Sequence, residues 1–263
     1  VIVDTLGNLL VTRKARQKNA LRVMLAAHMD EVGFILTSDE KDGLFRFETV
    51  GGIDVRQLVG KAVLVGEKNI PGVIGTTPIH LLENNELERK VPLSSLRIDM
   101  GPGGADKAKA GDRAVFATRF KQAGPSVMAK ALDDRVGVAT LIELVKNAPP
   151  NIEMLAAFTV QEEVGLRGAR AAGYSMNPDM AVVVDCTPAN DLPHWENDVE
   201  NTRYNTRLGS GPAVYIADRA TLSDPRLIRW LVDTAEENQI PYQFRQPGSG
   251  GTDAGAIHLQ REG

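Results

Sequence analysis

Three apolar runs in this chain share one pattern: each has the length of a strand, is apolar at nearly every position, and stops at a polar residue. Leu21-Arg-Val-Met-Leu-Ala-Ala27 runs into His28, Glu153-Met-Leu-Ala-Ala-Phe-Thr-Val160 into Gln161-Glu162-Glu163, and Met180-Ala-Val-Val-Val184 into Asp185. Such near-continuous apolar strands are those covered on both faces, as in parallel sheets. The period becomes helical elsewhere. Asp133 to Lys146 puts Val136, Ala139/Thr140, Leu141 and Leu144 near one face, with acids at its start and Lys146 at its end. Asp224-Pro225 opens a second helix that runs to about Glu237, and Asp253 to Gln260 reads as a third. Strand and helix in alternation predict an α/β sheet whose ligands bind beyond the carboxyl ends of the strands.

Residues 32–119 follow a different pattern. Val32-Gly-Phe-Ile-Leu36 and Leu44-Phe-Arg-Phe-Glu-Thr-Val50 flank the turn signal Asp42-Gly43; Lys61 to Val65, Gly72 to Ile74 and Arg113 to Ala117 add further short strand candidates. Glycine or proline separates most of them. This predicts a small all-β domain inserted into the α/β domain, which then comprises residues 1–31 and 120–263.

The composition, 43% apolar and 24% charged over 263 residues, is ordinary for a globular chain. A net charge of −4 without a Lys/Arg block argues against nucleic acid or anionic membrane as a partner. No apolar run approaches the ~18 residues of a membrane span. The single cysteine, Cys186, excludes an intrachain disulfide framework and any Cys-rich zinc module. The chain begins at Val1 rather than Met, and both ends are expected to continue.

The residues at the strand ends are those that bind metals. An imidazole such as His28 ligates zinc through one nitrogen, and a carboxylate two residues on, Asp30, can hold the other and fix the tautomer. In Leu132-Asp133-Asp134-Arg135, one carboxylate can cap the helix or bridge two cations, and Arg135 can neutralise whichever acid binds no metal. Glu162 and Glu163, adjacent on an extended chain, reach one site only if the chain turns, which Gly165 permits. Asp185 closes a buried strand; Cys186 beside it reads as a packed thiol, because the other candidates are hard N/O groups. One imidazole with several carboxylates suits paired Zn²⁺, Co²⁺ or Mn²⁺. His-Glu-x-x-His, Gly-x-Ser-x-Gly and the phosphate-loop motif are absent. His80, His194 and His258 read as structural or surface residues. The loop Gly248 to Gly255 either lines a site or caps a helix.

Four segments, Ala27-His-Met-Asp-Glu-Val-Gly33, Lys130-Ala-Leu-Asp-Asp-Arg-Val-Gly137, Gln161-Glu-Glu-Val-Gly-Leu-Arg-Gly-Ala169 and Gly250-Gly-Thr-Asp-Ala-Gly255, together resemble the tetrahedral aminopeptidases, cytosolic dinuclear metallopeptidases that include glutamyl and deblocking enzymes. Gly72-Val-Ile-Gly75, Ile79-His-Leu81 and Ile98-Asp99 resemble that family's assembly domain. The resemblance implies a zinc-peptidase-like mixed sheet flanked by helices, with an inserted β-barrel-like domain. It implies His28, Asp133, Glu163 and Asp185 as ligands to two divalent ions, zinc first and cobalt or manganese as alternatives, with Asp133 bridging. It implies Glu162 as general base and Asp30 as support to His28. The family's last ligand, a histidine, is expected beyond residue 263. Short peptides as substrates, a cytoplasmic location, and assembly into a dimer or tetrahedral dodecamer follow from the same resemblance. Two rivals use the same residues: a metal-dependent deacylase or carboxypeptidase, and a catalytically incomplete assembly protein. A glycoside hydrolase fits poorly, since its two carboxyls stand ~5–9.5 Å apart across a sugar and Glu162 and Glu163 are neighbours.

Overall fold

The computed structural model describes the chain except residues 82–89, 105, 190, 192–205, 249 and 262–263. His194 lies outside the described residues. The chain forms two compact units: Val1–Met29 with Asp134–Gly263, and Asp30–Asp133. The hairpin of strands Lys121–Ala123 and Ser126–Met128 thus groups with the second unit.

The first unit is built on a mixed five-stranded sheet. Its strands are β1 (Ile2–Val3), β2 (Leu9–Arg13), β3 (Arg22–His28), β4 (Glu153–Thr159) and β5 (Met180–Val183), in the order β1-β2-β4-β3-β5. The three apolar runs are β3, β4 and β5. β4 and β5 flank β3 and run parallel to it; β2 pairs antiparallel with β4, and β1 pairs antiparallel with β2. Both faces of β3 and β4 are covered, so successive side chains feed two cores. Met24 and Ala26 of β3 and Leu155 and Ala157 of β4 pack with Ala169 and Ala172 of helix Arg167–Met176. Leu25 and Ala27 of β3 and Ala156 and Phe158 of β4 pack with Leu141 of helix Leu132–Lys146. The helices are numbered α1 (Leu132–Lys146), α2 (Arg167–Met176), α3 (Pro225–Glu237) and α4 (Ala254–Ile257). Asp224 caps α3 by accepting the Arg226 N–H, and Pro225 takes the first turn, where its missing donor costs nothing.

Two elements depart from the expectation. The third helix is a single turn, Ala254–Ile257, rather than Asp253 to Gln260. And α2 is not among the helices expected from the sequence, although Ala169, Ala172 and Met176 recur at helical spacing; two of its buried positions are the glycines Gly168 and Gly173. They are there for close approach: a Cβ on Gly173 would stand 3.3 Å from Ile257 Cα, and one on Gly168 would stand 2.2 Å from the Val160 carbonyl oxygen.

The second unit contains a closed six-stranded barrel of strands Gly33–Asp39, Leu44–Val50, Arg97–Asp99, Ile70–Gly75, Ala62–Val65 and Arg113–Phe116, in that order around it. A barrel leaves no edge strand to pair with another chain. Its interior is filled by Phe34, Leu36, Phe45, Phe47, Val63, Ile74 and Ile98. Phe34 meets Phe47 and Phe116 edge-on, at 5.2 and 5.1 Å between ring centres. Among the described residues no helix is long and apolar enough to cross a membrane.

Candidate metal centre

Register decides what meets at the carboxyl end of the sheet. Thr159 of β4 pairs with His28 of β3, and Val183 of β5 pairs with Ala26, so Asp185 emerges level with His28. The Met29 N–H donates to the Thr159 carbonyl and the Val184 N–H to the Ala26 carbonyl, which carries this alignment past the strand ends. Helix α1 begins at the same edge. Its first turn brings Asp133, and ligand atoms of His28, Asp133 and Asp185 lie within 4.8 Å of one another.

The spacing within this group suits a shared cation. His28 Nε2 is 3.8 Å from Asp185 Oδ1, too long for a hydrogen bond. Two ligands of a tetrahedral zinc, each ~2.1 Å from it, stand ~3.4 Å apart, so an ion fits between them with little adjustment. The donors, one imidazole nitrogen and two carboxylates, are hard to borderline and match Zn²⁺, Co²⁺ or Mn²⁺. A second trio, Asp133, Asp134 and Cys186, meets the same distance limit.

Asp134 is the residue that holds this edge together. It is fully buried, and its carboxylate accepts the His28 N–H at 3.2 Å and the Gly137 N–H at 3.1 Å, with Cys186 Sγ at 3.9 Å. One side chain therefore ties the tip of β3, the first turn of α1 and the segment after β5. The arrangement requires Gly137: a Cβ there would stand 2.3 Å from Asp134 Oδ1. Arg135 Nε donates to the Met29 carbonyl at 2.9 Å. The sequence marked the Asp133-Asp134 pair but gave no sign that the second acid is the buried anchor.

Glu162 and Glu163 sit half-buried in the turn after β4, and Asp30 sits half-buried two residues beyond His28; none of the three joins the trios above. The turn is sharp at Gln161 (φ 61°), Gly165 (φ 117°) and Leu166 (φ 56°), and Ala131 (φ 54°) precedes Asp133. Left-handed conformations at Gln161, Leu166 and Ala131 cost about 1–3 kcal/mol each and persist where the surroundings over-determine them, which is typical of functional sites.

Two further buried groups border the edge. Asp253, from the glycine-rich loop, does not cap α4; its carboxylate is hydrogen-bonded with the Thr159 hydroxyl, next to the Ala27 carbonyl. The loop thus serves both places: Thr252 Oγ1 accepts the Ala254 N–H at 3.4 Å at the start of α4, while Asp253 reaches the sheet end. Arg245, in strand β7 (Gln243–Arg245), which pairs in parallel with β6 (Ala213–Tyr215), donates from Nε to Thr187 Oγ1 at 3.0 Å and lies 4.4 Å over the Tyr215 ring. Burial pushes the Tyr215 phenol above its ordinary value, against the lowering effects of the Thr187 hydrogen bond and the Arg245 charge. His258 is exposed, with Nδ1 2.7 Å from the Ala254 carbonyl oxygen, and His80 is exposed in a short 3₁₀ turn.

Comparison with known proteins agrees with this architecture. Residues 7–263 match the M42 glutamyl aminopeptidase family. The glutamyl aminopeptidase of Lactococcus lactis is 34% identical over 99% of this chain and 75% of its own length. A TET aminopeptidase of a marine sediment archaeon superposes with a TM-score of 0.92 at 33% identity, covering 100% of this chain and 75% of its own. The Pyrococcus horikoshii TET1 peptidase, which can assemble into a tetrahedron or a large octahedral shell, superposes with a TM-score of 0.81 at 35% identity, covering 98% and 77%. A mixed sheet with a closed barrel, polar groups converging on the ends of its parallel strands, and a sequence match over almost the whole length place this chain in the M42 family of aminopeptidases.

Proposed function

We propose that the chain is a metal-dependent aminopeptidase that removes N-terminal residues from short peptides with the help of two divalent ions. The observation that carries this reading is the meeting of His28, Asp133 and Asp185 at the ends of parallel strands. His28 and Asp185 would hold one ion, Glu163 the other, and Asp133 would bridge both, with Asp30 fixing the His28 tautomer. Divalent ions, when bound by these residues, would supply Lewis acidity and a water more acidic than bulk water.

Glu162 handles the proton. It takes one from the attacking water as the water oxygen bonds to the carbonyl carbon, and gives it to the amine nitrogen as the C–N bond breaks. No other reactant is consumed, and the products are an amino acid and a shortened peptide. The carboxylates at the edge also favour a positively charged substrate α-amine, which suits an exopeptidase acting from the N-terminus. We further propose self-assembly as a dimer or tetrahedral dodecamer with contacts made by the barrel; the assemblies of the P. horikoshii TET1 peptidase support it.

Hydrolysis of aminoacyl-anilides with a free or an acylated amine tests the reading, with and without chelator. The free-amine substrate should be cleaved, chelation should abolish cleavage, and Zn²⁺ or Co²⁺ should restore it. Cleavage of only the acylated substrate would make the chain a deacylase. Activity indifferent to chelation would remove the ions, and a full-length protein that binds no metal would be the incomplete assembly protein.

A further inference from the structure

The segment that carries Glu162 and Glu163 is closed at its base by a side chain far away in sequence. Asn8 is fully buried. Its Oδ1 accepts the Val160 N–H at 3.0 Å, and its Nδ2 donates to the Gly168 carbonyl at 3.0 Å. The Gly168 N–H in turn donates to the Val160 carbonyl at 3.0 Å. Val160 is the first residue past β4 and Gly168 lies in the first turn of α2, so one amide closes both ends of the intervening segment. Asn8 is itself oriented. Asp4 accepts the Leu6, Gly7 and Asn8 N–H groups through Oδ1 and Asn8 Nδ2 at 2.7 Å through Oδ2. There is no slack: a Cβ on Gly168 would stand 2.4 Å from Asn8 Oδ1.

What lies between the clamped ends is strained. Gln161 and Leu166 are left-handed, and inside the segment the Glu162 carbonyl accepts the N–H groups of Gly165 and Leu166. Such a turn relaxes if its ends are released. We propose that Asn8, held by Asp4, is a positioning residue that sets the place of the Glu162 carboxylate for proton transfer; this rests on the reading of Glu162 as general base. Asn8 touches no reacting atom. It acts by fixing the turn, and displacements of about 1 Å in such a base cost up to ~10²-fold in rate.

The test is a double-mutant cycle on the full-length protein with metal content measured alongside. Asn8→Ala should lower kcat ~10–100-fold, change KM less than ~3-fold and leave the bound metal unchanged. In a Glu162→Gln background the same change should add less than ~3-fold, because the group it positions is already gone. Losses that multiply fully, or a loss of metal that accounts for the lost turnover, would make Asn8 merely structural and overturn the proposal. If Asn8→Ala does not fold, Asp4→Asn, which weakens the hold on the Asn8 amide, should show a kcat loss in the same direction with KM and metal content unchanged, and the same non-additivity with Glu162→Gln; full additivity there overturns the proposal. Normal turnover of Asn8→Ala beside an impaired Glu162→Gln overturns the clamp alone; near-normal turnover of Glu162→Gln overturns the base assignment beneath it.

Discussion

The barrel unit and the sheet unit fill their interiors with different material. The barrel uses bulk: Phe34, Phe45, Leu36, Leu58, Ile74 and Ile98 are almost wholly buried, and among the described residues none of its polar or charged side chains is. The sheet unit uses small side chains, Ala26, Ala157, Ala169 and Ala172, which bring helices close to the strands. It also holds the buried polar groups, among them Asn8, His28, Asp134, Thr159, Arg245 and Asp253. A buried polar group destabilises unless it is hydrogen-bonded, so each is tied to the strand ends or the loops beside them. An apolar core that loses a side chain loses stability. A buried polar net that loses one also moves the atoms it holds.

The largest effect is expected from Asp133→Asn, at the last residue of the second unit and inside helix α1, which continues into the first. If the carboxylate bridges cations, turnover should fall on the order of 10³-fold or more, several kcal/mol of transition-state stabilisation. The unfolding midpoint of the metal-free protein should barely move, since Asp133 is exposed. Near-normal turnover in a steady-state assay would place the chemistry elsewhere.

Phe45→Ala addresses the apolar core of the barrel. Emptying the site of a fully buried phenylalanine costs about 3–5 kcal/mol, to be read by denaturant titration. Turnover per folded molecule should stay within ~3-fold of normal, because among its described residues the barrel unit buries no polar or charged side chain. A large drop in kcat with folding intact would show that the barrel core governs the strand ends, and the division of labour would be wrong.

The same contrast explains what could be read from the amino-acid sequence. Strands β3, β4 and β5 were legible because both faces are covered and their apolar runs are unbroken. His28 and Asp185 stand out because each ends such a run, and Asp133 because it opens a helix. Helix α2 was weakly marked: Ala169, Ala172 and Met176 recur at helical spacing, but its buried face is mostly alanine and glycine, and Gly168 and Gly173 serve contacts with residues distant in sequence. Nor was the barrel strand Arg97–Asp99 distinct, at three residues. Asn8 and Asp253 were invisible as anchors for one reason. Their partners lie 160 and 94 residues away, at Gly168 and Thr159, and no local period encodes such a pairing. Propensity and patterning report on neighbours; a buried polar group is specified by the whole fold.

The smallest effect separates the units by what holds their carboxylates. In the barrel unit, exposed Asp54 is held at about 2 by hydrogen bonds from the Arg56 side chain and N–H, with the Arg56 charge adding to them. In the sheet unit, burial would raise the Asp4 carboxyl, but hydrogen bonds from the Asn8 amide and the N–H groups of Asn8, Gly7 and Leu6 outweigh it and hold it below its ordinary value. Both folded-state values lie below the unfolded 3.8. Each group therefore adds stability that is fully present above that value and is lost as pH falls through the folded-state midpoint. The two should respond differently to salt. At ~1 M ionic strength the screening length is about 3 Å, and an exposed pair with a guanidinium is weakened, so the Asp54 midpoint should climb toward 3.8. The donors to Asp4 are neutral, so its midpoint should stay. Asn8→Ala should raise the Asp4 midpoint and leave Asp54 alone. Carboxyl chemical shifts followed through an acid titration resolve the two; an Asp4 midpoint that climbs with salt as far as that of Asp54 would mean that charge, rather than the amide clamp, holds it.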